Sequence, residues 1–517
     1  LKPPARNPLF ATKSITDLGA EADAHHGLKR TLGPIDLVML GIGAIIGAGL
    51  FVRTAAAAAN NAGPSVTIGF IVASVGSAFA GLCYAEFASM IPMAGSAYTY
   101  SYATLGELVA WIIGWDLILE YAIGAATVGI AWSEYLNKLL EYGGLRIPYA
   151  WSHSPFEVLR DAGGAAIAHG IMNVPALFIV GVLSLLLVRG TRESAFVNGL
   201  IVITKVSIVV LFIVLGWGFI NPVNHQPYIP PPGHYVDGQG VSHAFGGIMG
   251  ILGAGGVVFF AFIGFDAVST AAQEARKPKR DMPIGILGSL VICTVLYILF
   301  AHVLTGVASV GEFRTQGKEA SVVYAITTYM HGYGWLAKFV TVAILAGFSS
   351  VILVMLLGQS RVFFAMSRDG LVPRVFSDVH PRFGTPYKAN LIFLAFVGAF
   401  AAFVPGDIVG DMTSIGTLFA FILVCAGVWI LRVRSPELPR DFRTPFVPLF
   451  PILGIIVCAA MILGLGWTNW VRLGVWLLIG LVIYASYGRH HSKLRGAASA
   501  GMPSPADDPA ATIKGRS

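Results

Sequence analysis

Lys205 stands inside the stretch VNGLIVITKVSIVVLFIVL, with long apolar runs on both sides. An ammonium at the centre of an apolar helix costs about 2.5–3.5 kcal/mol or more unless it is paired or faces a polar interior. Snorkelling to an interface is the ordinary escape, but the midpoint of a span is a poor place for it. The pKa of an amine held there falls readily, so the position reads as functional. Asp116 and Glu120 are four residues apart and share one helix face. Asp116 reads as a solvated vestibule acid. Glu120 lies deeper and could meet a cationic side chain or partner Lys205. Asp266 closes a glycine-interrupted run, where it could cap the helix that follows or face the side chain of a substrate. Glu86, near one end of an apolar run, is expected to pair with basic residues of the same side.

Two stretches could do chemistry with backbone alone. The first, Gly41-Ile-Gly-Ala-Ile-Ile-Gly-Ala-Gly49, has four glycines in nine residues. Each weakens a helix by roughly 1 kcal/mol relative to Ala. The pair Gly43 and Gly47 also fits close helix packing of the GxxxG kind. The order G-x-G-x-x-x-G-x-G is not that of a dinucleotide-binding loop. The second stretch carries Gly253, Gly255, Gly256 and Gly264 and ends on Asp266. Interrupted segments in matching positions of two halves mark a transporter with its site at mid-membrane. An unwound turn frees N–H groups that attract a carboxylate and C=O groups that receive an ammonium. Together they recognise the common part of an α-amino acid.

The elements that must position these groups are apolar helices. Charged residues make up 12% of the 517, against about 25% in soluble domains. The hydrophobic set reaches 56% and the mean hydropathy is +0.73. A soluble enzyme, a disordered chain and a fibrous protein are excluded on these figures. Windows of about 20 apolar residues predict an all-α membrane protein. Its twelve spans fall at 34–59, 66–90, 106–136, 173–190, 195–220, 244–272, 283–309, 335–365, 390–405, 412–433, 446–466 and 470–487. The spans divide into halves over about 34–220 and 244–433, with two extra helices over 446–487. The tails are 1–30 and 489–517, the latter expected to be disordered. Tyr98, Tyr100 and Tyr102 suit an interfacial stretch between spans two and three.

Charge distribution tests this count. With the N-terminus inside, 25 of the 34 Lys and Arg residues fall on the inner side and eight, Arg53 among them, on the outer. Lys205 belongs to neither. The asymmetry predicts both termini in the cytoplasm, and the expected location is the cell inner (plasma) membrane. It also explains the net charge of +7 without a nucleic-acid partner. The first 30 residues lack the apolar core of a cleavable signal. Cys83, Cys293, Cys425 and Cys458 lie in apolar runs with no ligand spacing and are expected to be buried and free. No HExxH, GxSxG, metal cluster or P-loop is present, so the chain is predicted to be neither an enzyme nor an ATP-driven pump, and no cofactor or metal is expected. A channel is disfavoured by the lack of charged or carbonyl rings.

Several long motifs carry a resemblance. LGIGAIIGAGLFV (40–52), AGPSVTIGFIVA (62–73), CYAEFASMIPMAGSAYTYSY (83–102), GWDLILEY (114–121), FFAFIGFDAVSTAAQEARKPKRDMPIGI (259–286) and GQSRVFFAMSRDGLVP (358–373) occur in this order. The chain resembles the amino acid–polyamine–organocation superfamily over residues 28–485, and within it the bacterial relatives of cationic amino acid transporters. The resemblance implies the five-plus-five inverted repeat of leucine-transporter type, with helices one and six broken. It implies that the Ile45 carbonyl and the Ala48 and Gly49 amides meet the charged ends of the substrate. The carbonyls of Phe260, Ala261 and Ile263 would meet its ammonium, and Phe260 would cover the site. Lys205 would stand where sodium-coupled cousins hold a cation, its protonatable amine substituting for sodium as the proton-coupling residue. In the eighth span, Ser349, Ser350 and Met355 are expected to line the pocket, the thioether favouring smaller substrates. The function expected is proton-coupled uptake of cationic or small neutral amino acids, by a monomer or weak oligomer. The alternative is an amino acid or polyamine exchanger without ion coupling.

Overall fold

The computed structural model describes residues 12–13, 32–90, 96–160, 165–190, 195–236, 242–269, 275–315 and 321–495. The remaining parts of both tails, together with Arg192 and Lys318 from the charge tally, lie outside the described residues.

Helices dominate. Helix α1 (Pro34–Ile45) opens on Pro34, and Asp36 accepts the N–H of Gly33 at 2.8 Å, so its first turn is capped by its own sequence. A second helical segment, α2 (49–62), leads into α3 (Val66–Met90). After a short helix, α4 (Ser96–Thr104), come α5 (Glu107–Glu141), α6 (Val174–Arg189) and α7 (Ala195–Gly216). The chain continues through α8 (Gly247–Val258), α9 (Pro278–Val307), two short helices α10 (Val310–Thr315) and α11 (Ser321–Tyr329), and α12 (Gly334–Arg368). It closes with α13 (Tyr387–Phe403), α14 (Gly406–Arg434), α15 (Leu449–Gly464) and α16 (Trp467–His491). Among the described residues, eight helical stretches are long and apolar enough to cross a membrane, and four further apolar helices are shorter. Two antiparallel hairpins, Val158–Arg160 with Ala166–His169 and Gly233–Val236 with Ser242–Phe245, qualify the all-α expectation.

The helices face lipid on one side and each other on the other. On α7, Leu200, Ile203, Val210 and Val214 are exposed along one stripe while Lys205 is buried. The same 3.6-residue period that turns the aliphatic side chains outward turns the lysine inward. The four cysteines are buried and free.

Two terminal segments dock on one end of the bundle. Lys13 pairs with Asp369 at 3.1 Å, and Tyr98 donates to the same carboxylate at 2.7 Å. Arg495 pairs with Glu107 at 2.8 Å. The disorder expected from residue 489 onward is therefore corrected for 489–495, because a buried carboxylate on α5 holds Arg495. Tyr98, Tyr100 and Tyr102 are buried on α4 rather than interfacial, since their hydroxyl-bearing rings pack inward and two of them reach carboxylates.

Candidate substrate and coupling site

The backbone breaks at both expected places. After α1, Ile46 is extended, with ψ 103°, and helical turns resume at Gly49. After α8, a 3₁₀ turn covers Phe259–Phe262, Ile263 is extended at ψ 134°, and Gly264 has φ +111°. That φ suits glycine and strains other residues. The two breaks cross in contact. A Cβ placed on Gly49 would stand 2.2 Å from Ala261 Cα, and one on Gly264 would stand 3.0 Å from the Ala44 carbonyl oxygen. Glycines are therefore required where backbone meets backbone. Ile45, Ala48, Gly49, Phe260, Ala261 and Ile263 all lie buried along this crossing.

The chain's own side chains occupy several carbonyls of the first break. Lys205 Nζ donates to the Gly43 carbonyl at 2.7 Å, and the Tyr297 hydroxyl donates to the Ile45 carbonyl at 3.0 Å. The Phe51 carbonyl accepts from Tyr135 at 3.2 Å and from Ser321 at 3.1 Å. Lys205 is 1% exposed. Its stem runs past Gly347 of α12, where a Cβ would stand 2.7 Å from Cε. The lysine thus joins α7, α12 and the unwound end of α1.

The acids form a separate cluster. Tyr121 donates a short hydrogen bond to Asp266, and the Glu120 and Asp266 carboxyls lie against each other. Glu120 thus meets Asp266, one of the polar partners that a buried acid requires. Asp116 is buried, with Oδ1 3.3 Å from the position of a Cβ on Gly416 of α14, and no described residue hydrogen-bonds its carboxyl. The solvated-vestibule expectation for Asp116 is corrected: α14 packs over that face of α5. Met355 covers Gly124 of α5, its sulfur 3.2 Å from where a Cβ would be. One turn earlier, Val351 rests on Gly47 in the first break, its Cγ2 3.4 Å from where a Cβ would be. The Ser349 hydroxyl turns back to the Leu345 carbonyl at 2.9 Å.

The two ends of the bundle carry ion pairs. Glu86 receives Arg432 through two bonds of 2.8 and 2.9 Å, Arg440 at 3.2 Å and the Thr444 N–H at 2.8 Å, which meets the expectation of pairing with nearby arginines. At the other end Arg53, counted as an outer charge, is buried between Asp407 at 3.3 Å and Asp411.

Tyr121, Tyr297 and Gly347 went unnoticed in the sequence. The first two had a signal, because a phenol inside an apolar span must find a polar partner. Gly347 had none, since its role is the space it leaves.

Apolar helices interrupted at mid-length, with buried polar backbone at the interruptions, define an integral multi-pass membrane carrier. The chain belongs to the amino acid permease family: the family model so described matches residues 32–492. It is similar to the branched-chain amino acid permease BcaP of Bacillus subtilis, at 44% identity over 94% of this chain and 99% of that one. The methylthioribose transporter of the same organism is 38% identical over the same shares. The vacuolar cationic amino acid transporter 2 of Arabidopsis thaliana is 33% identical over 83% of this chain and 64% of its own. These relatives are transporters and not enzymes.

Proposed function

We propose that the protein takes up neutral amino acids with aliphatic side chains, coupled to protons, by alternating access. The observation that carries the substrate class is Met355. Its thioether lies on Gly124, one helical turn from Glu120, its sulfur 3.2 Å from the place of a Gly124 Cβ, and in this reading it shortens the side-chain pocket on that face of α5. The methylene and sulfur surface there matches a short aliphatic group. BcaP of Bacillus subtilis, named as a branched-chain amino acid permease, supports the same class.

In this reading the substrate lies along the crossing of the two breaks. The Ala48 and Gly49 amides receive its carboxylate. The carbonyls of Ile45, Phe260, Ala261 and Ile263 receive its ammonium, and the Phe260 ring closes over it. The twelve helices form two inverted halves of five, with broken first and sixth members, plus two at the C-terminal end, and both termini lie in the cytoplasm.

Lys205 is the coupling residue in this reading. Protonated, it holds the Gly43 carbonyl and keeps α7 attached to the broken helix. Deprotonated, it loses charge assistance in that bond. Each protonation state therefore favours one arrangement of α1 against α7, which coupling requires.

Purified protein in liposomes tests both parts. Imposed external acidity should drive uptake of leucine or valine above equilibrium, and arginine should compete poorly. Uptake that ignores the pH gradient but needs internal amino acid would replace symport with exchange. Arginine competing as well as leucine would overturn the substrate class.

A further inference from the structure

A groove of about 670 Å³ opens between the first turns of α9 and the segment that follows α14. Its mouth carries Lys279 and Arg280, and its wall is made by Ile284, Leu287 and Phe442. Lys279 reaches Asp441 across the mouth at 2.9 Å, but both side chains are well exposed, at 69% and 45%. Such a surface pair contributes about 0–1 kcal/mol and yields to a stronger anion. No described residue pairs with the Arg280 guanidinium. Two cations against one carboxylate leave the mouth positive.

Below the mouth the surface becomes apolar and stays so. Ile284, Val291, Val295 and Leu299 repeat at helical spacing on α9 and all are exposed. From Ile284 to Val295 they run roughly 16 Å along the axis, comparable to the depth of one leaflet, about half of a bilayer core about 30 Å thick. A soluble anion would use the mouth and leave this stripe unused. A ligand with a phosphate and long hydrocarbon chains uses both.

We propose that this groove is a binding site for an anionic phospholipid of the adjoining leaflet. Lys279 and Arg280 hold the phosphodiester, Arg280 through its planar fork, and an acyl chain lies along Ile284, Val291 and Val295. Because the lipid touches both α9 and the segment after α14, it ties together two parts of the bundle that meet at the groove. The site lies apart from the crossing of the two breaks, so it is independent of which amino acid is carried.

Native mass spectrometry of the detergent-purified full chain tests this, with phosphatidylglycerol and phosphatidylcholine offered in equal amounts. Wild type should retain phosphatidylglycerol in preference. Lys279→Gln combined with Arg280→Gln should reduce that retention about tenfold or more, in line with the attraction of basic side chains to anionic lipid. Asp441→Asn should raise it, a gain that damage to folding cannot produce. Phosphatidylglycerol should raise the melting temperature of wild type and inorganic phosphate should not. Equal retention of the two lipids, equal retention by wild type and double variant, or equal stabilisation by inorganic phosphate would each overturn the site. So would a second copy of the chain occupying the groove, seen as a dimer that the double variant loses.

Discussion

Gly49 and Ala261 meet with no room for a side-chain carbon between them, the place of a Gly49 Cβ lying 2.2 Å from Ala261 Cα and 2.4 Å from its nitrogen. Both neighbours are backbone, so neither can turn aside. Gly49→Ala should separate the two broken helices at a cost of about 1–3 kcal/mol and lower uptake at least tenfold. Gly199→Ala on α7, which meets open space, should leave uptake unchanged. Initial rates in liposomes at matched protein density check the pair.

Lys205 and Gly347 form a second close fit. Lys205→Ala should abolish accumulation against a gradient under imposed external acidity. Gly347→Ala should weaken the same response while keeping the amine, because a Cβ would stand 2.7 Å from Cε. Steady-state accumulation ratios at several imposed pH differences measure both. Accumulation by Lys205→Ala equal to wild type would remove the lysine from coupling.

Met355→Ser should open the space over Gly124. Competition by arginine against labelled leucine should strengthen about five- to tenfold, as expected when a pocket contact of one or two methylenes is removed. Unchanged selectivity would place the side-chain pocket elsewhere.

Glu312 gives a pH dependence outside the membrane-spanning helices. Partial burial works to raise its pKa, but the Tyr329 hydroxyl, the Ser309 N–H and hydroxyl and the Tyr324 hydroxyl outweigh it. The carboxyl therefore titrates below the usual glutamate range. A depressed pKa means the stabilisation is complete above the unfolded value and disappears as pH falls through the folded one. Melting temperatures of wild type should thus drop more steeply on acidification below the ordinary glutamate pKa of about 4.3 than those of Glu312→Gln. Parallel curves would show that the α10–α11 contact does not contribute.

Much of this architecture is legible from hydropathy and glycine spacing. Every predicted apolar window contains a helix among the described residues, and both glycine-rich stretches lead into a break, although α8 runs unbroken through Gly253, Gly255 and Gly256 and gives way only at Phe259. That Glu86 pairs with arginines of its own side follows from charge and apolar length, while the choice of Arg432 and Arg440 is seen only in the structure. Side-chain partners across the bundle are less legible. Asp116 looked solvated because helical period tells which face a residue shares but not which helix covers that face. Glu120 is expected from the sequence to meet a cationic side chain or Lys205; it lies against Asp266, and that choice depends on how α5 rotates against its neighbours. The role of Gly347 is invisible in a sequence because it consists of vacant volume beside a lysine.

Tyr297 and Lys205 have a bearing on what the protein does when it carries nothing. With the Ile45 and Gly43 oxygens already engaged, an unloaded molecule leaves no stranded dipoles at those two atoms of its broken helix. Water has less reason to enter there in search of them. If the interruption is the place for cargo, as proposed, these two bonds would keep water from those atoms between cargoes and help the bilayer keep its electrical insulation around a helix that does not span it unbroken.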